Sequence, residues 1–302
     1  MLNIRMQGQQ FFCLLLVWGL AVGASAQNTV QVISKKIEKD FTYRNGYEVN
    51  VEGERAEVIV ESWEKNDINV LIEIYVKHPD KATAERDMEA VHYLADRVKN
   101  KIYLRNYLSV KEGTPKPVSI IYVKYTIRVP KECPVYLKNY FGTVNVNNLF
   151  SRLKINSEFS KIGLENIQGF MDVKTRFGDL SGQNLDGDMF VDARRSDILL
   201  RDLKGRYDLK AMYGTIEIFA GKDIVDLNID ADKAKVLLHT PNPALFGYAI
   251  NVSQGDIRFP KGMNFNFLEN TAEVKKIQFK PNQEFYATFT ITVSFGDIFI
   301  GK

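Results

Sequence analysis

Through the middle of the chain apolar and polar residues alternate, as in Leu153-Lys154-Ile155-Asn156-Ser157-Glu158-Phe159, the period-two pattern of a strand with one buried face. The alternation is interrupted by a recurring signature of an aromatic, then Gly or Ser, a polar residue and an aliphatic. Its copies are Phe141-Gly142-Thr143-Val144, Phe159-Ser160-Lys161-Ile162, Phe177-Gly178-Asp179-Leu180, Arg195-Ser196-Asp197-Ile198 and Tyr213-Gly214-Thr215-Ile216, each starting 18 residues after the last. Registering the copies aligns further columns. Leu137, Ile155, Val173, Val191 and Leu209 stand before the signature, and Leu149, Ile167, Leu185 and Leu203 after it.

After the Gly or Ser the phase of the alternation shifts, so the chain turns a corner where little side chain crowds the bend. A second corner is marked by Asn148, Asn166, Asn184 and Asp202, residue types that tolerate turn geometry. A unit this short cannot bury its apolar face alone. Stacked on the next unit at about 4.8 Å, it pairs its backbone and builds a continuous core. The pattern predicts an all-β fold: a single-stranded β-helix or β-solenoid with 18-residue coils, occupying 133–302. No six-residue subperiod is present, which favours a right-handed coil over a hexapeptide helix. Further copies, Lys233-Ala234-Lys235-Val236, Gln254-Gly255-Asp256-Ile257 and Phe295-Gly296-Asp297-Ile298, follow at irregular spacing. The last strand, Phe285 to Ile300, is expected to point Phe285, Ala287, Phe289, Ile291, Val293 and Phe295 inward and to close the stack.

Before the repeats, strand-like runs occur at about 47 to 52, 55 to 62, 67 to 77, 101 to 109 and 118 to 129. One helix is predicted over about 80–99, with Asp80 as N-cap and Ala84, Met88, Val91, Leu94, Ala95 and Val98 at helical spacing. Residues 27–132 read as a small β-rich capping domain covering the first coil, whose edge would otherwise be unpaired.

The N-terminus adds a destination. Arg5, an apolar run from Phe11 to Val22 and Ala24-Ser25-Ala26 read as a signal peptide over 1–26. The run is too short for the roughly 20 residues of a spanning helix. Cys13 leaves with the signal, so Cys133 is the one cysteine of the mature chain and reads as a buried thiol. Without Arg5 the balance is 39 basic against 37 acidic residues, and no basic block points to nucleic acid.

This order of parts, with Glu57-Val58-Ile59-Val60-Glu61-Ser62-Trp63, Ile68-Asn69-Val70 and Val129-Pro130-Lys131 leading into Gly-Asp-Ile-type coils, resembles a family of secreted bacterial β-helix proteins described as candidate adhesins, related to an autotransporter adhesin head domain. The resemblance covers nearly the whole mature chain. It implies a β-helix fold and a place in the periplasm, at the cell surface or outside the cell, and it attaches no catalytic residues.

Candidate chemistry is sparse. Asp179 and Asp197 share a column one coil apart, which places them about 5 to 6 Å from each other, within reach of two-carboxylate glycosidase chemistry. They also sit at a corner, where Asp is a common turn residue. Arg194 and Arg195 lie close by, suited to neutralising a uronic acid or to relieving the Asp repulsion. His78, His92 and His239 pair with nothing at metal-ligand spacing, so no catalytic site, metal or cofactor is assigned. Asn251-Val252-Ser253 fits a glycosylation sequon by chance in a bacterial chain. Outward positions hold Tyr136 and Phe190 in one column and Leu199 and Phe219 in others, side chains able to stack on sugars or dock on a protein. The ligand-binding residues are left unassigned. The sequence therefore reads as a non-enzymatic binding protein for glycan or protein ligands, with a polysaccharide-active enzyme and a purely structural envelope component as alternatives.

Overall fold

In a computed structural model the described residues are 30–301, and the expected signal peptide and Cys13 lie outside them. Among the described residues the strands form one open 18-stranded sheet with a single α-helix. In chain order its first part comprises β1 (Gln31–Thr42), β2 (Glu48–Glu54), β3 (Ala56–Trp63), β4 (Asp67–His78), α1 (Lys81–Glu89), β5 (Val91–Val98), β6 (Lys101–Leu108) and β7 (Ile120–Pro130). Then come β8 (Val135–Asn147), β9 (Leu153–Arg176), β10 (Leu180–Arg194) and β11 (Ile198–Phe219).

These last four strands pair in parallel, each residue facing the one 18 positions on. Leu180, for example, lies between Ile162 and Ile198. The aliphatic columns recognised in the sequence are all buried. Each fully buried member contributes about 1.5–3 kcal/mol of apolar burial. The register slips at Gly205/Arg206 where β11 meets β12 (Ile224–His239), so that Gly214 faces Ala234.

The second corner forms as expected, with Asn148, Asn166, Asn184 and Asp202 all at φ between 52° and 58°. The first corner is built differently. The left-handed residue is the aromatic itself, with Phe141, Phe159, Phe177, Arg195 and Tyr213 at φ 53° to 59°. The small residue after it is required by the neighbouring coil: a Cβ on Gly178 would lie 2.1 Å from the carbonyl oxygen of Ser160. One more corner precedes the recognised copies. Arg55 has φ 53°, and a Cβ on Gly142 would lie 2.0 Å from the carbonyl oxygen of Ala56. The Arg55-Ala56-Glu57-Val58 corner thus lies under the first copy, with β2 on the near half of β8 and β3 on the far half.

The helix is shorter than the sequence suggests. Asp80 caps it, its Oδ2 accepting the Thr83 N–H at 2.8 Å, but helix ends at Glu89 and Val91–Val98 is a strand antiparallel to β6. Val91 and Ala95 are buried with strand spacing, whereas Leu94 and Val98 face solvent. Two elements placed end to end imitate one helical stripe, and the β-branched and aromatic residues of Val91-His92-Tyr93 favour the strand.

The C-terminal third also departs from expectation. β13 (Gly247–Ser253), β14 (Ile257–Arg258), β15 (Asn266–Asn270) and β16 (Val274–Phe279) precede β17 (Thr288–Ser294) and β18 (Ile298–Gly301). β17 does not close the stack. It is inserted between β12 and β13, pairing in parallel with both, while β16 and β15 lie beyond β13. Phe289, Ile291 and Val293 are buried as anticipated, but Phe285 is 84% exposed and Phe295 61%. Phe289 is fully buried against Phe246, at 4.6 Å between ring centroids. Phe285 precedes the strand and Phe295 stands on the outside of a corner.

Candidate functional site

The first corner projects its side chains outward in a row. Phe141 and Phe159 stack at 4.9 Å between centroids and Phe159 and Phe177 at 4.8 Å, with both pairs within 4° of parallel. The Arg195 guanidinium continues the row between Phe177 and Tyr213, at 5.4 and 5.6 Å from their ring centroids. The Lys233 ammonium lies 5.4 Å from Tyr213 and 5.9 Å from Phe295. The aromatic members are between 40% and 61% exposed. Ring pairs contribute about 0.5–1.5 kcal/mol and exposed cation–ring contacts about 0.5–1 kcal/mol each, so the row is a stiff ridge. The aromatic column was recognisable in the sequence. Its exposure was not, because exposure follows from the left-handed φ.

Beside the ridge runs the column Thr143, Lys161, Asp179, Asp197 and Thr215. Asp179 Oδ1 accepts the Asp197 N–H at 3.1 Å, and Asp197 Oδ1 accepts the Thr215 N–H at 2.7 Å. The irregular copies repeat the device, Asp297 Oδ1 accepting the Asp256 N–H at 2.9 Å. Each carboxylate thus ties its corner to the next. Arg195 is engaged with rings, and Arg194 lies 3.7 Å from Asp192, so neither arginine is paired with the two aspartates.

Further across, a polar trough is lined by Asn145, Asn147, Glu165, Ser181, Gln183 and Arg201. It is deepened where Gly163 leaves its column without a side chain; a Cβ there would crowd the Asn145 amide oxygen, at 2.7 Å, and touch the Ser181 hydroxyl at 3.9 Å. At its far end Phe219 is sandwiched between the Arg201 guanidinium at 3.8 Å and the His239 ring at 4.5 Å, and His239 Nε2 lies 3.1 Å from Glu217 Oε1. Leu199 lines the trough, so Leu199 and Phe219 come together on this side. Tyr136 and Phe190 lie on the other side of the corner, and Phe190 packs with Phe170 at 5.6 Å.

The remaining candidates are dispersed. His78 is bound to the backbone of Asp80, and His92 stacks on Tyr107. Cys133 is buried, and burial pushes its thiol up to about 12. Asn251 lies mid-strand in β13. Among the described residues no group of His, Cys, Asp and Glu could hold a metal ion, and no helix is long and apolar enough to cross a membrane.

One open sheet with a buried aliphatic interior and continuous outward columns defines an all-β, solenoid-like protein. The chain belongs to the Toastrack DUF4097 family, whose profile matches residues 94–301. Solved structures similar to it include a candidate lipid-binding protein from Parabacteroides distasonis (11% identity, 88% of this chain and 97% of that one, TM-score 0.41). Also similar are a candidate adhesin from the same organism (12%, 89% and 97%, 0.39) and one from Bacteroides fragilis (9%, 88% and 97%, 0.38). No curated protein matches the chain. Likeness at this level leaves function to the residues of the chain itself.

Proposed function

We propose that this chain is an exported, non-enzymatic binding protein of the adhesin type, acting in the periplasm, at the cell surface or outside the cell. Residues 1–26 serve as a cleaved signal peptide, 27–132 cap the stack and 133–302 form a β-helix of 18-residue coils. Its ligand is a glycan or a cell-surface protein.

The ridge carries this reading. A bulky residue at left-handed φ is strained, and large apolar side chains gain most when shielded from water. Here each strained position spends its side chain on an exposed, continuous row instead. A contiguous apolar strip with cations set into it is the composition of an interaction surface. The carboxylate pair speaks against the polysaccharide-cleaving alternative, since Asp179 and Asp197 each commit an oxygen to the backbone of the next corner.

The test replaces Phe159 and Phe177 together by Asn, which tolerates left-handed φ and removes the rings. Purified protein is screened against glycans and cell-surface proteins. Binding by the wild type that falls at least about tenfold in the double variant, with the unfolding midpoint moved by only a few degrees, supports the ridge as the binding surface. Undiminished binding of every ligand the wild type binds overturns it. Turnover of an acidic polysaccharide that disappears in Asp179→Asn/Asp197→Asn would favour the enzyme.

A further inference from the structure

On the other side of the corner from the trough, a groove crosses four strands. Its rows are Tyr103, Asn50, Tyr136 and Lys154 and, two residues on, Arg105, Glu52, Lys138 and Asn156. β2 and β6 come from before residue 132 and β8 and β9 from after it, so neither part makes the groove alone. Leu94 of β5 completes its lining, and its volume, about 430 Å³, falls in the range of small-molecule sites. Tyr103, 37% exposed, and Tyr136 stand two strands apart with Asn50 between them, a separation of roughly 10 Å at ordinary strand spacing.

The polar groups around the rings are held in place by one another. Asn50 Nδ2 donates to Glu48 Oε1 at 3.2 Å, and the same oxygen takes Lys101 Nζ at 2.7 Å. Glu52 takes Lys138 Nζ at 3.2 Å on one oxygen and Arg105 Nε at 3.4 Å on the other. Lys154 pairs with Asp172 at 3.0 Å.

We infer that this groove binds an extended, uncharged glycan lying along the direction in which the strands stack. A sugar ring presents an apolar face of C–H groups and a rim of hydroxyls. It is held by an aromatic face together with planar amide, carboxylate and guanidinium groups, and the groove supplies both kinds in register. Two aromatic platforms separated by one strand match alternate sugars of a ribbon-like chain, with Asn50 beside the sugar between them. The local ion pairs balance most of the charge, so no strong field selects a charged ligand. A peptide strand cannot add along β2, β6 or β8, which are each paired on both edges. A protein partner would need a larger apolar centre than the floor offers. The inference rests on reading the chain as a binding protein, but at a site separate from the ridge, so the two fail separately.

The mature chain is titrated calorimetrically with cellohexaose and xylohexaose as extended probes and maltohexaose as a helical control. At least one extended probe is expected to bind, with Tyr103→Ala and Tyr136→Ala each weakening it by about tenfold or more. Tyr103→Phe keeps the platform and should retain binding, as should the Phe159→Asn/Phe177→Asn variant. Circular dichroism and thermal unfolding of each variant check the fold. Binding of neither extended probe, equal binding of maltohexaose, or indifference to both alanine changes overturns the inference and leaves the ridge standing. Loss in the ridge variant alone reassigns the glycan to the ridge and likewise overturns the groove.

Discussion

Asp87 is the least accessible carboxylate of α1, at 1% exposure, and it holds the segment before β7 in place. Its Oδ2 accepts the Val118 N–H at 2.9 Å, the Ser119 N–H at 2.9 Å and the Ser119 hydroxyl at 2.7 Å, while Arg86 lies 2.7 Å from Oδ1. Burial alone would raise its pKa. The donors from Ser119, Arg86 and Val118 outweigh burial and hold it at about 2, against an ordinary 3.8. A carboxylate with a depressed folded pKa stabilises the fold above its unfolded pKa and loses that contribution as pH falls through the folded one. The difference amounts to about 2 kcal/mol at neutral pH. In urea unfolding, the stability gap between wild type and Asp87→Asn should therefore shrink by about 2 kcal/mol between pH 6 and pH 2. A gap independent of pH would remove the carboxylate's charge from the account. Glycines give a second contrast at this scale. Gly178→Ala drives a Cβ into the backbone oxygen of Ser160 and should cost about 2 kcal/mol or more, whereas Gly163→Ala meets movable side-chain atoms and no backbone and should cost less than about 1 kcal/mol. Thermal unfolding of the two variants checks the order. The sequence marked both corners by their small and Asn residues, but it could not reveal that the aromatic carries the left-handed φ, because Phe rarely occupies that region.

At the scale of elements, the strands that were legible are those whose pattern is set by one buried face repeated many times. The inward columns of β8 to β11 read directly because each position sees the same neighbour one strand away. β5 was not legible, since a short strand following a short helix reproduces helical spacing by coincidence. The Arg55 corner escaped because Arg replaces the aromatic and the neighbouring strand lies far away in sequence. Of the candidate sites, the ridge residues were visible as a column. Tyr103 carried no periodic signal, and its pairing to Asn50 brings it near Tyr136 only through the fold. Repeat logic at this scale has a direct consequence. Deleting Phe159 to Arg176 lets Phe177 follow Glu158 with every column preserved, so the shortened protein should unfold in one cooperative transition. Deleting nine residues sets corners against strands and should abolish cooperative unfolding. Equal behaviour of the two deletions in denaturant would contradict the stacking assignment.

For the whole molecule, β8 to β12 follow one another in space as they do in the chain, whereas the order is broken beyond β12, and stability there should differ accordingly. The corners Lys233, Phe295 and Gln254 succeed one another along the stack: a Cβ on Gly296 would meet the Ala234 carbonyl oxygen at 2.0 Å, and one on Gly255 the Gly296 oxygen at 1.9 Å. β17 and β18, which follow β13 to β16 in the chain, are therefore the bridge between β12 and everything from β13 to β16. Phe289 makes the junction, packed against both Phe246 and Tyr248. Truncation after Glu284 removes β17 and β18. It should release residues 240–284 as a unit, because their parallel partner and the aromatic seal both leave, while β1 to β11 keep their own pairings. Limited proteolysis of the truncated chain should cut first within 240–284 and leave a resistant fragment that still contains β12, exposed as a new edge that promotes association. Phe289→Ala in the full chain is the milder version, expected to cost about 3–5 kcal/mol and to open the same segment first. Uniform protection of 30–284 in either protein would show that the C-terminal third is held by contacts other than the inserted strand.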